Sequence, residues 1–208
     1  MGQKKGVLIT IEGTEGAGKS TLIGALAELL KKRDIPVTVT REPGGTALAE
    51  QIRGVILNNE MNAWTELFLY EAARCEHLAR TLRPALVRGH VVICDRFTDS
   101  TLAYQAHARG LPWDTVKKLN RVATQGILPS LTVWLDINPK AGLKRARDKN
   151  RFEAEGLLFQ KKVRQGFLKA MNESPKRWLR LKINPSHPTS PQQLASAVVK
   201  RMRAKGIL

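Results

Sequence analysis

Eight residues near the amino terminus restrict what this chain can fold into more than anything else in its 208 residues. Gly13-Thr14-Glu15-Gly16-Ala17-Gly18-Lys19-Ser20 fits the spacing G-x-x-x-x-G-K-[ST] in full, and Thr21 follows. The apolar run Val7–Ile11 precedes the segment, and Leu22, Leu26, Leu29 and Leu30 follow it at helical spacing. A strand, a glycine-rich turn and a helix in that order aim successive backbone N–H groups at phosphate oxygens, with the positive end of the helix dipole behind them. Gly13, Thr14, Glu15, Gly16, Ala17, Gly18, Lys19, Ser20 and Thr21 are therefore the expected triphosphate-binding segment. Lys19 is placed to bridge the β- and γ-phosphates, and the Ser20 hydroxyl to ligate Mg²⁺.

Further apolar runs at Val37–Thr40, Val91–Cys94, Leu131–Leu135 and Leu179–Ile183 alternate with helical patterns. That alternation predicts an α/β class with a parallel sheet covered on both faces, where strands read as continuous apolar stretches. Residues 65–83 read as one long helix stopped before Pro84. Ser190-Pro191-Gln192-Gln193 carries a cap, a first-turn proline and a capping-box partner for a last helix. With no internal repeat and no low-complexity linker, residues 1–208 are expected to form one domain.

Charge bears on partners. The net charge is +17, but residues 1–139 hold 17 Lys+Arg against 14 Asp+Glu (+3), while 140–208 hold 18 against 4 (+14). Such an excess suits a nucleic-acid surface or a basic face around an anionic substrate, and the second reading is preferred. The segment has no nucleic-acid motif and no stacking platform among Phe152, Phe159, Phe167 and Trp178. No apolar run approaches the ~20 residues that span a bilayer, and no signal-peptide pattern leads the chain. Cys75 and Cys94 read as buried thiols of a reducing compartment, so the expected location is cytoplasmic, away from membranes.

Carboxylates and arginines gather where strands end. Arg41-Glu42-Pro43-Gly44-Gly45-Thr46 follows the second strand. Glu42 there can hold a metal-bound water, position an acceptor phosphate, or be a turn residue. Asp95 ends the third strand within reach of a Mg²⁺ shell, and Arg96 beside it suits a bidentate phosphate clamp. Asp136, ending the strand Leu131–Leu135, suits a metal role or the capping of nearby backbone N–H groups, the second reading being preferred, and His77, His90, His107 and His187 take surface or structural roles.

Arg41–Thr46 (REPGGT), Ala72-Ala73-Arg74 with Glu76-His77, the run from Asp95-Arg96-Phe97 through Ser100-Thr101 to Tyr104-Gln105, Leu131–Asp136 and Gly142–Arg147 together resemble bacterial thymidylate kinases. The resemblance covers most of residues 6–180. It implies the three-layer P-loop NTPase fold with a five-stranded parallel sheet, a homodimer, and transfer of phosphate from ATP to dTMP with Mg²⁺. Lys19, Glu42 and Asp95 would carry the chemistry, with Ser20, Asp95 and Glu42 (directly or through water) at the metal. Arg74 and Arg96 would contact the acceptor, Arg53 would lie near its phosphate, and Ser100 belongs to the same segment. Thr101 and Gln105 would read the thymine edge, and Tyr104 would exclude a ribose 2′-hydroxyl. Tyr70 stands where the family usually has a stacking Phe. A short mobile lid over approximately 145–155 would bring Arg147 and Arg151 over the γ-phosphate. The rival readings are a kinase for another nucleoside monophosphate and a nucleic-acid-associated ATPase.

Overall fold

The computed structural model describes residues 6–145 and 151–208. Five strands, β1 (Val7–Glu12), β2 (Val37–Arg41), β3 (Val91–Asp95), β4 (Leu131–Ile137) and β5 (Trp178–Ile183), form one parallel sheet in the order β2-β3-β1-β4-β5. Each apolar run becomes a strand within a residue or two of its expected bounds. The three central strands β3, β1 and β4 are almost entirely buried, because helices cover both faces.

One face packs on α1 (Lys19–Lys31) and the carboxy-terminal helix. Ile9, Ile11, Val133 and Leu135 meet Leu22, Leu26 and Leu30 there, together with Val198 and Met202. Most of the remaining helices lie over the opposite face, although Ala141 of the helix after β4 packs into the first cluster. In chain order they begin with α2 (Ala47–Asn58) and α3 (Ala63–His77), the latter passing through a π-helical turn at Leu78–Leu82 into α4 (Arg83–Val87). After β3 come α5 (Thr98–Thr101), a second π-helical stretch Leu102–Ala108, and α6 (Trp113–Ala123). Beyond β4 lie α7 (Pro139–Arg145), α8 (Arg151–Ala154) and α9 (Gly156–Glu173). On this side Trp134 stacks on Phe167 at 5.8 Å, next to Tyr104, Val163 and Trp178.

The last helix, α10 (Pro191–Ala204), starts as its sequence dictates: the Ser190 hydroxyl accepts from the Gln193 N–H, and the Gln193 side chain reaches back to the Ser190 N–H. The long helix does not stop before Pro84. The wider i→i+5 winding at Leu78–Leu82 absorbs the hydrogen-bond loss, and Pro84 sits in the first turn of α4. Both cysteines are free; Cys94 is buried, but Cys75 lies exposed on α3. No helix among the described residues is long and apolar enough to cross a membrane.

Ladder register fixes the position of the site. Arg41 and Ile11 both lie opposite Asp95. The next residues along each strand, Glu42, Arg96 and Glu12, therefore emerge side by side at the carboxyl edge of the sheet, where open α/β sheets bind ligands.

Candidate active site

The phosphate loop is built where β1 runs into α1. Gly13 has φ +150°, and a Cβ there would lie 2.8 Å from the Leu135 carbonyl oxygen on neighbouring β4. Only glycine lets the loop leave the sheet so close to that strand. Lys19 is buried and folds back over the loop, its Nζ 3.4 Å from the Gly13 carbonyl and 3.3 Å from that of Thr14. Burial, and then Arg96, lower its pKa from the ordinary lysine value, against the pull of Glu15 and Asp95. Ser20 and Thr21 are exposed at the start of α1.

Arg96 joins this loop to the neighbouring half of the site. It adopts φ +66°, a left-handed conformation that costs a non-glycine residue about 1–2 kcal/mol. From there its guanidinium donates to the Gly13 carbonyl (3.0 Å), the Ser100 hydroxyl (3.2 Å) and Glu15 Oε1 (2.5 Å), and lies 5.1 Å from the centre of the Tyr104 ring. Burial works against its charge, but Tyr104, Glu15 and Asp95 outweigh it and hold the group firmly cationic. Glu15 is correspondingly held below the usual carboxylate range: burial would raise it, and Arg96 with Lys19 more than compensate.

Arg74 is the other organised cation. It is 1% exposed, and its Nε donates to Glu42 Oε2 at 2.7 Å. The remaining donors reach Glu71 Oε2 (2.9 Å), Asn120 Oδ1 (2.6 Å) and the Thr101 hydroxyl (2.8 Å). Burial again opposes the charge, and Glu71 and Glu42 overcome it, so Arg74 stays protonated. The second oxygen of Glu42 pairs with His77 Nδ1 at 2.9 Å. Burial alone would raise Glu42, yet Arg74 and then His77 hold it below the usual range. Both Glu42 oxygens are thus engaged by protein, whereas Asp95 Oδ1 is buried without a hydrogen-bond partner among the described residues. Asp95 with Ser20 could hold a divalent cation, and Glu42, with both oxygens engaged, is placed to orient Arg74.

A cleft of about 730 Å³ joins the loop to these cations. Of the residues singled out from sequence, Glu15 to Thr21, Glu42, Arg53, Tyr70, Arg74, Asp95, Arg96, Ser100, Thr101, Tyr104 and Gln105 all line it. The π-helical winding of Leu102–Ala108 helps turn Tyr104 and Gln105 to the same side as Ser100 and Thr101. Gln105 donates its amide N–H to the fully buried Glu66 at 2.7 Å. Tyr104 packs against Phe152 at 5.8 Å and Phe159 at 6.1 Å, and burial raises its phenol above the ordinary value, with Arg96 opposing. Arg53 donates to the Pro43 carbonyl at 3.1 Å, and Tyr70 stands edge-on to Phe152 at 6.4 Å. Arg145 reaches the rim. Arg147 lies outside the described residues; Arg151 opens α8, and its side chain is likewise outside them.

One expectation changes. Asp136 neither caps backbone nor faces the cleft: it binds Arg164 through both oxygens (2.6 and 3.1 Å) and Arg180 at 2.5 and 2.9 Å. His77 takes a structural place, fully buried beneath the cleft and tied to Glu42 and, through Nε2, to the Thr40 hydroxyl at 2.6 Å. Glu12, Glu71 and Asn120 escaped the sequence reading. Glu12 accepts from the Ser100 hydroxyl (2.5 Å) and the Phe97 N–H (2.9 Å). Its position just before Gly13 was the one signal available, and its partners lie over eighty residues away.

The comparisons with known proteins bear on the same residues. Residues 11–193 match the family model for thymidylate kinase. Over 181 residues the chain is 49% identical to a thymidylate kinase of Bacillus velezensis, covering 83% of this chain and 85% of that protein. A Clostridium novyi thymidylate kinase is 47% identical over 188 residues, 86% of this chain and 92% of its own length. The crystal structure of thymidylate kinase from Ehrlichia chaffeensis superposes with a TM-score of 0.79 at 29% identity, over 94% of this chain and 98% of that one. Similarity that begins in the strand feeding the phosphate loop and runs into the last helix, on a shared fold, has one meaning: this chain belongs to the thymidylate kinase family.

Proposed function

We propose that the protein transfers the γ-phosphoryl group of ATP to dTMP, giving ADP and dTDP. The observation that carries this reading is the meeting, in one cleft, of the Lys19 loop with two pre-set guanidinium groups, Arg74 and Arg96. A nucleoside monophosphate has a second pKa near ~6, so its phosphate is already a dianionic nucleophile at neutral pH. The obstacle is repulsion between two polyanions, and the remedy is fixed positive charge in line with the transfer. Lys19 and the loop amides hold the donor phosphates. Arg96, hydrogen-bonded to both the Gly13 carbonyl and Ser100, stands between donor and acceptor. Arg74 holds the acceptor phosphate, with Arg53 near it.

Asp95 with Ser20 would hold Mg²⁺, which would supply charge neutralisation at the phosphates. Thr101 and Gln105 read the thymine edge, Tyr70 stacks on the ring, and Tyr104 fills the space of a ribose 2′-hydroxyl. Arg145 at the rim, with Arg147 and Arg151, forms a cationic lid over approximately 145–155 on a single domain. The protein works as a homodimer. Trp64 and Phe68 on α3, stacked at 6.1 Å, and Leu48 and Val55 on α2 are 41–54% exposed, and this apolar surface supports pairing of two copies. Free thiols fit a reducing cytoplasm.

Incubation with ATP–Mg²⁺ and each of dTMP, dUMP, CMP, UMP, AMP and GMP tests the reading. Formation of dTDP should be fastest. Faster conversion of any other monophosphate, or ATP hydrolysis stimulated by DNA but not by dTMP, would overturn it.

A further inference from the structure

His77 touches none of the cleft, yet it occupies the centre of the support beneath it. Its ring is wholly buried between β2 and the end of α3. Nδ1 lies 2.9 Å from Glu42 Oε1, and Nε2 lies 2.6 Å from the Thr40 hydroxyl. A carboxylate only accepts, so Nδ1 carries the proton, and Nε2 is left to face Thr40. Glu42 is otherwise anchored by its backbone N–H, which donates to the Asp95 carbonyl at 2.9 Å, and by the Arg74 Nε on its second oxygen. Without the imidazole, one buried carboxylate oxygen loses its partner, and the plane of the carboxylate that orients Arg74 is left to the Arg74 contact alone.

The loop between β2 and α2 is shaped around the same ring. A Cβ on Gly45 would meet His77 Cδ2 and Nε2 at 2.6 and 2.7 Å, and Thr40 Oγ1 at 2.6 Å. The Gly45 carbonyl also accepts from the Thr81 hydroxyl at 3.0 Å, one turn beyond His77 on the same helical run. Two segments of sequence, Arg41–Thr46 and the stretch from Arg74 to His77, are thus joined by the imidazole as well as by the Arg74–Glu42 pair.

We infer that His77 is a positioning residue for the acceptor half of the reaction, acting through the buried chain Thr40–His77–Glu42–Arg74. This rests on the reading of Arg74 as an acceptor-binding group. Loss of the Nδ1 donor should therefore weaken the acceptor and leave the donor nucleotide alone. Truncation to a side chain that merely fills the space should not restore the function.

The experiment compares His77→Asn with His77→Leu, measuring KM for dTMP and for ATP separately, with Arg74→Lys in parallel. Asn places an N–H at the position of Nδ1, whereas Leu preserves volume without a donor. His77→Leu should raise KM for dTMP roughly tenfold, the equivalent of about 1.4 kcal/mol, with KM for ATP within about twofold. His77→Asn should recover most of that loss. Equal defects in the two variants, a parallel rise in KM for ATP, or a Leu variant better than Asn would overturn the inference in favour of packing alone. If His77→Leu does not fold, Thr40→Val reports on the same chain from its far end. It should raise KM for dTMP alone, about twofold, and an unchanged value would count against the inference. Arg74→Lys separates the two levels: no effect on KM for dTMP removes the acceptor reading itself, whereas an effect there without one from His77→Leu removes only the role of His77.

Discussion

At Lys19 the ammonium is held 3.3–3.4 Å from two carbonyls of its own loop, buried and beside Arg96. Lys19→Ala should lower kcat by at least about 10²-fold, read from single-turnover phosphoryl transfer; a near-parental rate would remove the loop from the chemistry. Glu12 makes a different prediction. Burial, with Asp99 adding to it, lifts its carboxyl from an ordinary 4.5 to about 8, against Ser100 and Arg96. Between those pH values the folded chain keeps a proton that the unfolded chain has released. The resulting stabilisation is complete below about 4.5 and disappears as pH rises through about 8. The melting temperature should accordingly fall between about pH 5.5 and 8.5, and fall less in Glu12→Gln. Identical slopes would show that Glu12 is ionised throughout.

Elements were legible to unequal degrees. The strands could be read because burial on both faces demands unbroken apolar runs, and α10 because its cap is wholly local in Ser190 to Gln193. Helix α3 could be read too, but its continuation past Pro84 could not, since the wider winding at Leu78–Leu82 leaves no periodic signature in five residues. The same division runs through the site. The phosphate loop is one contiguous motif, and the cleft-lining arginines stand in motifs that resemblance exposes. His77 and Glu12 take their meaning from partners 35 and 88 residues away, a relation that spacing along one chain does not reveal. Gly45 shows how tightly such elements are fitted: at φ +82° and against the His77 ring, it admits no side chain. Gly45→Ala should lower stability by about 2 kcal/mol or more in urea unfolding, through the left-handed backbone and the contact together. A smaller loss would mean that the loop moves away freely.

For the whole molecule, the basic excess of the last third is partly structural. Arg177 grips Asp99 at 2.6 and 2.9 Å, and Arg164 and Arg180 share Asp136. Those guanidinium groups brace β5 and α9 against β4 and the α5 turn, and they are committed to carboxylates within the fold. Assembly depends on a different surface. If two copies pair through α2 and α3, Phe68→Glu places a charge in the apolar patch and should halve the mass seen by sedimentation; an unchanged mass would move the interface elsewhere. The cage of Glu42, Glu71, Asn120 and Thr101 around Arg74 has a kinetic corollary. A guanidinium fixed by the fold itself does not wait for a nucleotide to arrive, so neither substrate must come first. Initial-rate plots for the two reactants should intersect in the pattern of random addition, and calorimetry should detect dTMP binding to protein that has met no ATP.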